Sequence, residues 1–232
     1  MLEPQKRAPE TSPRNESDQR TAGLFIVLEG IEASGKTTQL AMLAEWLERR
    51  AIPCIVAREP GGTAVGEAVR EVLLHGGHVD ARSELLLYLA ARAQLVAETV
   101  RPALAAGRVV LTDRYELSTF AYQGGGRGLP IDDVRTLNAF ATAGLRPDLT
   151  IVLSLSRDEA ESRLRSRSGG PDRLERAGDG FHDRVASAYE GLGNSEPGVE
   201  IMDGALAAAD VHGAVVRLLQ MRFPETFARG TG

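Results

Sequence analysis

Lysine is almost missing from this chain. Its 232 residues hold 27 Lys and Arg together, and all but Lys6 and Lys36 are arginine. Cysteine is scarcer: Cys54 stands alone, so no intrachain disulfide is available, which fits a reducing compartment such as the cytoplasm. Cys54 has no histidine near it in sequence and reads as a buried core thiol. The four histidines, His75, His78, His182 and His212, lack metal-ligand spacing, so no structural metal is expected. No apolar run approaches the ~18 residues of a membrane span. A net charge of −5 lacks the basic excess of a nucleic-acid or membrane-surface protein. The remaining composition, 43% hydrophobic and 25% charged, is that of a globular protein with a substantial core.

Residues 1–22 read as a disordered N-terminal tail. Their acids and bases cancel, and they contain no apolar segment for a secretory signal. From residue 23 to 232 the pattern is that of one domain. Leu24–Leu28 is a short apolar run, β-branched at its centre, of the kind buried on both faces of a parallel sheet. A buried strand is expected over 52–57, and others over 108–112, 149–155 and 198–202. Helices are expected over 37–50, 64–74, 81–105, 131–143 and 206–221. Alternating strands and helices imply βαβ units, hence an α/β architecture with a parallel sheet covered on both faces.

Directly after the first strand, residues 30–37 (GIEASGKT) match G-x-x-x-x-G-K-[ST] in full and open a helix. That context is what the chemistry requires. Glycines let the loop wrap phosphate oxygens, its N–H groups point inward, and the helix N-terminus adds positive potential. The nucleotide cradle is therefore assigned to Gly30, Ile31, Glu32, Ala33, Ser34, Gly35, Lys36, Thr37 and Thr38. Lys36 would bridge the β- and γ-phosphates of ATP, and the Thr37 hydroxyl would hold Mg²⁺. The general arginine excess is read as a base-composition effect, but this position needs a compact ammonium. Asp113 ends a strand at the carboxyl edge of the sheet, where it could hold Mg²⁺ through water. Arg58 and Arg114 follow strands and reach the same edge, a second site of positive charge suited to a phosphate. A P-loop alone leaves several classes open. No Asn-Lys-x-Asp segment reads guanine, and a switch ATPase would not need the second anion site.

The segments IVLEGIEASGKTTQ, REPGGT (58–63), LAARAQL (89–95), DRYELSTFAYQGGGRG (113–128) and RPDLTIVL (146–153) resemble bacterial-type thymidylate kinases. They do so in order, over nearly the whole chain outside the tail. The resemblance implies a three-layer P-loop nucleoside monophosphate kinase fold: a five-stranded parallel sheet flanked by helices, with a short lid at about 163–178. It also implies transfer from ATP-Mg to dTMP, giving dTDP for nucleotide biosynthesis, in a cytoplasmic homodimer. By the same resemblance Arg58 and Arg114 face the acceptor phosphate, and Glu32 reads the sugar 3′-hydroxyl. Tyr88, where phenylalanine is usual, stacks on thymine, and Arg92 hydrogen-bonds the base. Tyr122 crowds the ribose 2′ position beside Thr119 and Gln123. Asp203-Gly204 closes over adenine. With an acid in the P-loop, the catalytic arginine comes from the lid, and alignment favours Arg167 over Arg163, Arg165 or Arg173.

The chemistry of the residues agrees. A monophosphate is already anionic near neutral pH, its second pKa being ~6, so it can attack without a general base. What the reaction needs is cancellation of charge between two polyanions. The alternative kept open is another P-loop nucleotide or nucleoside kinase with a different acceptor.

Overall fold

The computed structural model describes residues 23–166, 170 and 172–227. The expected tail (1–22) and the expected catalytic Arg167 lie outside the described residues. Five strands form one parallel sheet in the order β2-β3-β1-β4-β5. They are β1 (Phe25–Glu29), β2 (Cys54–Arg58), β3 (Val109–Asp113), β4 (Leu149–Ser154) and β5 (Val199–Asp203). The α/β expectation and the five-stranded sheet are thus observed. Strand β1 lies at the centre because both its faces are apolar. Ile26 and Leu28 pack on one side with Leu43 and Leu47 of α1 (Lys36–Glu48). Phe25 and Val27 pack on the other with Leu95, Val96 and Val100. All four strand residues are fully buried, each contributing on the order of 1.5–3 kcal/mol.

Strand β2 departs from expectation. It begins at Cys54, not Ile52, and is an edge strand with Val56 half exposed. Pro53 has no N–H for the ladder and joins it only through its carbonyl, which accepts the Val109 N–H at 2.9 Å, so the strand proper begins after it. Cys54 is only partly buried, and burial followed by Glu48 pushes its thiol up, which suits an inert residue.

Helix α2 spans Ala64–His75, capped by the Thr63 hydroxyl. The long helix expected over 81–105 is continuous but changes pitch: α3 (Ala81–Leu95), a π-helical turn (Val96–Val100), then α4 (Arg101–Ala105). Pro102 cannot donate to the carbonyl one turn back, and the wider turn precedes it. Helix α5 (Glu116–Thr119) runs into a second π-helical turn (Phe120–Gly126), followed by α6 (Ile131–Thr142) and, after β4, α7 (Arg157–Arg165). Helix α8 (Asp179–Ser195) was not expected; α9 (Ala208–Arg222) and α10 (Pro224–Phe227) end the described chain. The triple glycine of the sequence lets α8 approach closely. A Cβ on Gly125 would sit 2.6 Å from Ala188 Cβ, and one on Gly126 would sit 2.6 Å from the Phe181 ring.

Candidate active site

The strand register brings the functional residues to one edge. Asp113 is opposite Arg58 on one side and Leu28 on the other, so the ends of β1, β2 and β3 emerge together. Above them opens a cleft of about 930 Å³, the size of a small-molecule site.

Its floor is the P-loop. Gly30 (φ 135°) must be glycine, since a Cβ there would meet the Leu153 carbonyl at 2.5 Å. The N-cap of α1, Gly35, offers no side-chain acceptor, so the first N–H groups of the helix remain for an anion. Lys36 is buried, and its Nζ donates to the carbonyls of Gly30 (3.1 Å) and Ile31 (2.8 Å). Burial and then Arg114 pull its pKa down from 10.5 to about 8, against the opposing pull of Asp113, Glu32 and Glu29. The Thr37 hydroxyl donates to Asp113 Oδ2 at 2.9 Å. A hydroxyl and a carboxylate side by side are the oxygen donors that Mg²⁺ takes alongside phosphates and water. Among the described residues no cluster of three or more metal-ligating side chains occurs.

Arg114 forms the facing wall. Its backbone is left-handed (φ 73°), a costly conformation for a non-glycine residue, held here by its N–H on the Leu28 carbonyl. Nη1 donates to the Gly30 carbonyl (3.0 Å), and the guanidinium lies 5.0 Å from the Tyr122 ring centroid. Nη2 approaches Glu32 at 3.5 Å, and Glu32 also accepts the Tyr122 hydroxyl at 2.6 Å. Burial pushes the Glu32 carboxyl up, but Arg114, Tyr122 and Lys36 outweigh it and hold it below the ordinary value. Burial also works against the Arg114 charge, yet Tyr122, Tyr189, Glu32 and Asp113 raise it well above the usual range. The P-loop acid, the arginine and Tyr122 therefore meet at one point between the two ends of the cleft.

Tyr88, Thr119, Tyr122 and Gln123 line the cleft, as do Arg58, Asp113 and the P-loop residues Glu32, Ala33, Gly35, Lys36, Thr37 and Thr38. Arg58 stands exposed at the rim, paired with Glu67, whose carboxyl is held low first by the Gly62 N–H and then by Arg58. Arg70, missed in the sequence reading, lines the cleft with its Nη1 on the Pro60 carbonyl.

Arg92 is the exception among the acceptor-side residues. It does not line the cleft but is buried behind it, with Nε on Glu59 (2.7 Å), Nη1 on Asn138 (2.7 Å) and Nη2 on the Tyr115 carbonyl (2.8 Å). The helical spacing from Tyr88 is correct, but three acceptors from outside α3 claim the guanidinium. The polar group one turn from Tyr88 on the other side is Glu84. It is fully buried, accepts from Gln123 (2.9 Å) and Arg127 (2.9 Å), and is ion-paired with Arg173 (2.7 Å). Arg173 also donates to the Leu73 carbonyl, so it faces α2 and α3 and not the P-loop. Arg163 donates to the carbonyls of Ala33 and Gly204, tying α7 to both the P-loop and the loop after β5. Arg165 is largely exposed beside Glu161.

Two further residues escaped the sequence reading. Glu29, the last residue of β1, is a fully buried carboxylate; Tyr189 comes from α8 and touches both Glu29 and Arg114. An acid closing an apolar strand, and the spacing Phe181, Val185, Tyr189, were the available signals.

The family model described as Thymidylate kinase matches residues 28–215. A thymidylate kinase of Synechococcus sp. (strain JA-3-3Ab) is 51% identical over 174 residues, covering 75% of this chain and 83% of the relative. One of Desulforudis audaxviator (strain MP104C) is 47% identical over 209 residues, covering 87% and 94%. Among solved structures, a thymidylate kinase from Ehrlichia chaffeensis matches with a TM-score of 0.69 at 30% identity, over 86% of this chain and 99% of that one.

Proposed function

The chain belongs to the thymidylate kinase family, and from that premise we propose that it transfers the γ-phosphoryl group of ATP to dTMP, giving ADP and dTDP. The observation that carries this reading is the meeting of Lys36, Glu32 and Arg114 between a phosphate cradle and a second cationic wall. A phosphate oxygen of the acceptor attacks the γ-phosphorus in line; the bond to the β–γ bridging oxygen breaks, and its electrons leave with ADP. No proton has to be removed, because the acceptor phosphate is largely ionised near neutral pH, with a second pKa of ~6. Catalysis then rests on position and charge.

In this reading Lys36 and the α1 N-terminus hold the donor phosphates, while Arg114, joined by Arg58 from the rim, holds the acceptor phosphate. Glu32, fixed by Tyr122 and Arg114, accepts the sugar 3′-hydroxyl. Tyr122 stands where a ribose 2′-hydroxyl would fall. Tyr88, Thr119 and Gln123 surround the base, and Asp203-Gly204 the adenine. Thr37 and Asp113 would hold Mg²⁺, which supplies charge against the β- and γ-oxygens when bound. Arg167 is assigned to the developing transition-state charge. The burial of Arg92 makes it a support for this pocket through Glu59 and Asn138.

The proposal extends to a homodimer in the cytoplasm. Its support is the large apolar side chains left outside: Phe140, 87% exposed, with Leu137 on α6 and Leu86 on α3. Among the described residues no helix is long and apolar enough to cross a membrane.

The test is ADP release with dTMP, dUMP, ribothymidine monophosphate and deoxythymidine side by side. The reading expects dTMP to be fastest and the ribonucleotide poor. Faster turnover of deoxythymidine would reassign the protein to nucleoside phosphorylation. Sedimentation of the wild type and Phe140→Glu tests the dimer, which the charge should dissociate.

A further inference from the structure

We infer that Glu29 is a positioning residue for Arg114, acting through the hydroxyls of Ser118 and Tyr189. The inference rests on the reading that Arg114 holds the acceptor phosphate.

Glu29 sits at the end of the central strand, fully buried, with four donors on its two oxygens. Oε1 accepts the backbone N–H groups of Tyr115 (2.8 Å) and Ser118 (3.1 Å). Oε2 accepts the Ser118 hydroxyl (2.6 Å) and the Tyr189 hydroxyl (2.9 Å). Tyr115 belongs to the turn that carries Arg114, Ser118 to α5 directly after it, and Tyr189 to α8. The same two hydroxyl oxygens lie 3.1 Å each from Arg114 Nη1.

The direction of the hydroxyl protons is what matters. Ser118 and Tyr189 each carry one proton, and their oxygens are 2.8 Å apart. A carboxylate is the strongest acceptor within reach and takes both protons. The hydroxyl oxygens then present lone pairs to Nη1. One Nη1 hydrogen goes to the Gly30 carbonyl, and the other is shared between the two hydroxyls. Glu29 never touches Arg114, yet it sets the polarity of the shell that holds the guanidinium. It also connects α8 to the left-handed turn at residue 114.

Glu29→Gln isolates that effect, because it is isosteric and its outcome is constrained. Two backbone N–H groups face Oε1, so the amide oxygen must stay there. The NH₂ then falls at the Oε2 position, opposite both hydroxyls. Ser118 and Tyr189 must accept from it, and their protons turn toward Arg114. Tyr189→Phe is a milder version that keeps the ring and removes one acceptor.

The experiment is a double-mutant cycle on full-length protein: Glu29→Gln and Tyr189→Phe, each in the wild type and in Arg114→Gln, reading kcat and KM for dTMP. The inference expects Glu29→Gln to lower kcat/KM for dTMP by about 30-fold and Tyr189→Phe by about 5-fold, with KM for ATP within about twofold. In the Arg114→Gln background both factors should shrink to about twofold or less, since the group they position is gone. Equal factors in both backgrounds would overturn the inference and leave Glu29 a purely structural residue. If Arg114→Gln itself leaves dTMP kinetics unchanged, the reading beneath fails, and the inference with it. Should Glu29→Gln not fold, the Tyr189→Phe cycle decides alone by the same criterion.

Discussion

The phosphate cradle and the wall facing it are assembled differently. Lys36 bonds to Gly30, Ile31 and Ser34, none more than six residues away. Arg114 bonds to Gly30, 84 residues back, and to Tyr189, 75 residues ahead, while Tyr122 reaches Glu32 across 90. The cradle is one loop whose shape follows from its own glycines and the helix after it. The wall exists only once β1, the turn after β3 and α8 have packed together. Lesions in the cradle should therefore stay local, and lesions in the wall should spread between elements.

The largest local effect is expected at Lys36. Lys36→Ala removes the ammonium from the donor phosphates and should lower kcat by roughly 10³-fold. If the cradle is self-contained, dTMP affinity, read by titration calorimetry, should hardly change. A large loss of dTMP affinity would break the comparison.

Arg92 gives the opposite result. Arg92→Gln leaves Glu59 buried without its cation, which should cost about 3–5 kcal/mol of unfolding free energy, measured by denaturant titration. A base-reading arginine would instead raise KM for dTMP and spare stability. Glu59 already feels burial, which pushes its carboxyl up, while Arg92 pulls it down.

The pH dependence separates the two sides again. With Lys36 near pKa 8 in the free enzyme, kcat/KM for ATP should fall about tenfold per unit above that pH, while kcat at saturating ATP stays flatter because bound phosphates retain the proton. Stability moves the other way. The folded pKa lies below 10.5, so between about pH 8 and 10.5 the unfolded chain binds more protons and the Lys36 contribution rises with pH. Parallel loss of both would contradict a lysine depressed by burial.

The smallest effect belongs to the exposed rim. Arg58 and Glu67 are each about half exposed, so Glu67→Gln should change stability by less than about 1 kcal/mol. Freed from its partner, Arg58 should lower KM for dTMP by about two- to threefold in initial-rate assays, if it serves the acceptor phosphate.

These contrasts explain what the sequence disclosed. Residues 30–37 announce a cradle because the hydrogen-bond partners of Lys36, Gly30, Ile31 and Ser34, all lie inside that run. The turn at 113–115 was legible as a cluster at a strand end, and Arg114 stands there. Helix α8 was not legible: Gly180, Gly191 and Gly193 dilute its helix propensity, and it is held by Phe181, Val185 and Tyr189 packing on the rest of the domain. Arg92 shares the helical spacing of Tyr88, but spacing cannot reveal that Glu59 and Asn138, 33 and 46 residues away, would capture it. Strand β2 looks as apolar as a central strand, and only the strand order makes it an edge.

The central claim is that Arg114 reads the phosphate of the acceptor. The direct measurement compares kcat/KM for dTMP and for deoxythymidine in the wild type and in Arg114→Gln. The account predicts a loss of about 10²-fold for dTMP and less than about threefold for deoxythymidine, erasing much of the preference for a phosphorylated acceptor. An equal loss on both substrates would contradict it.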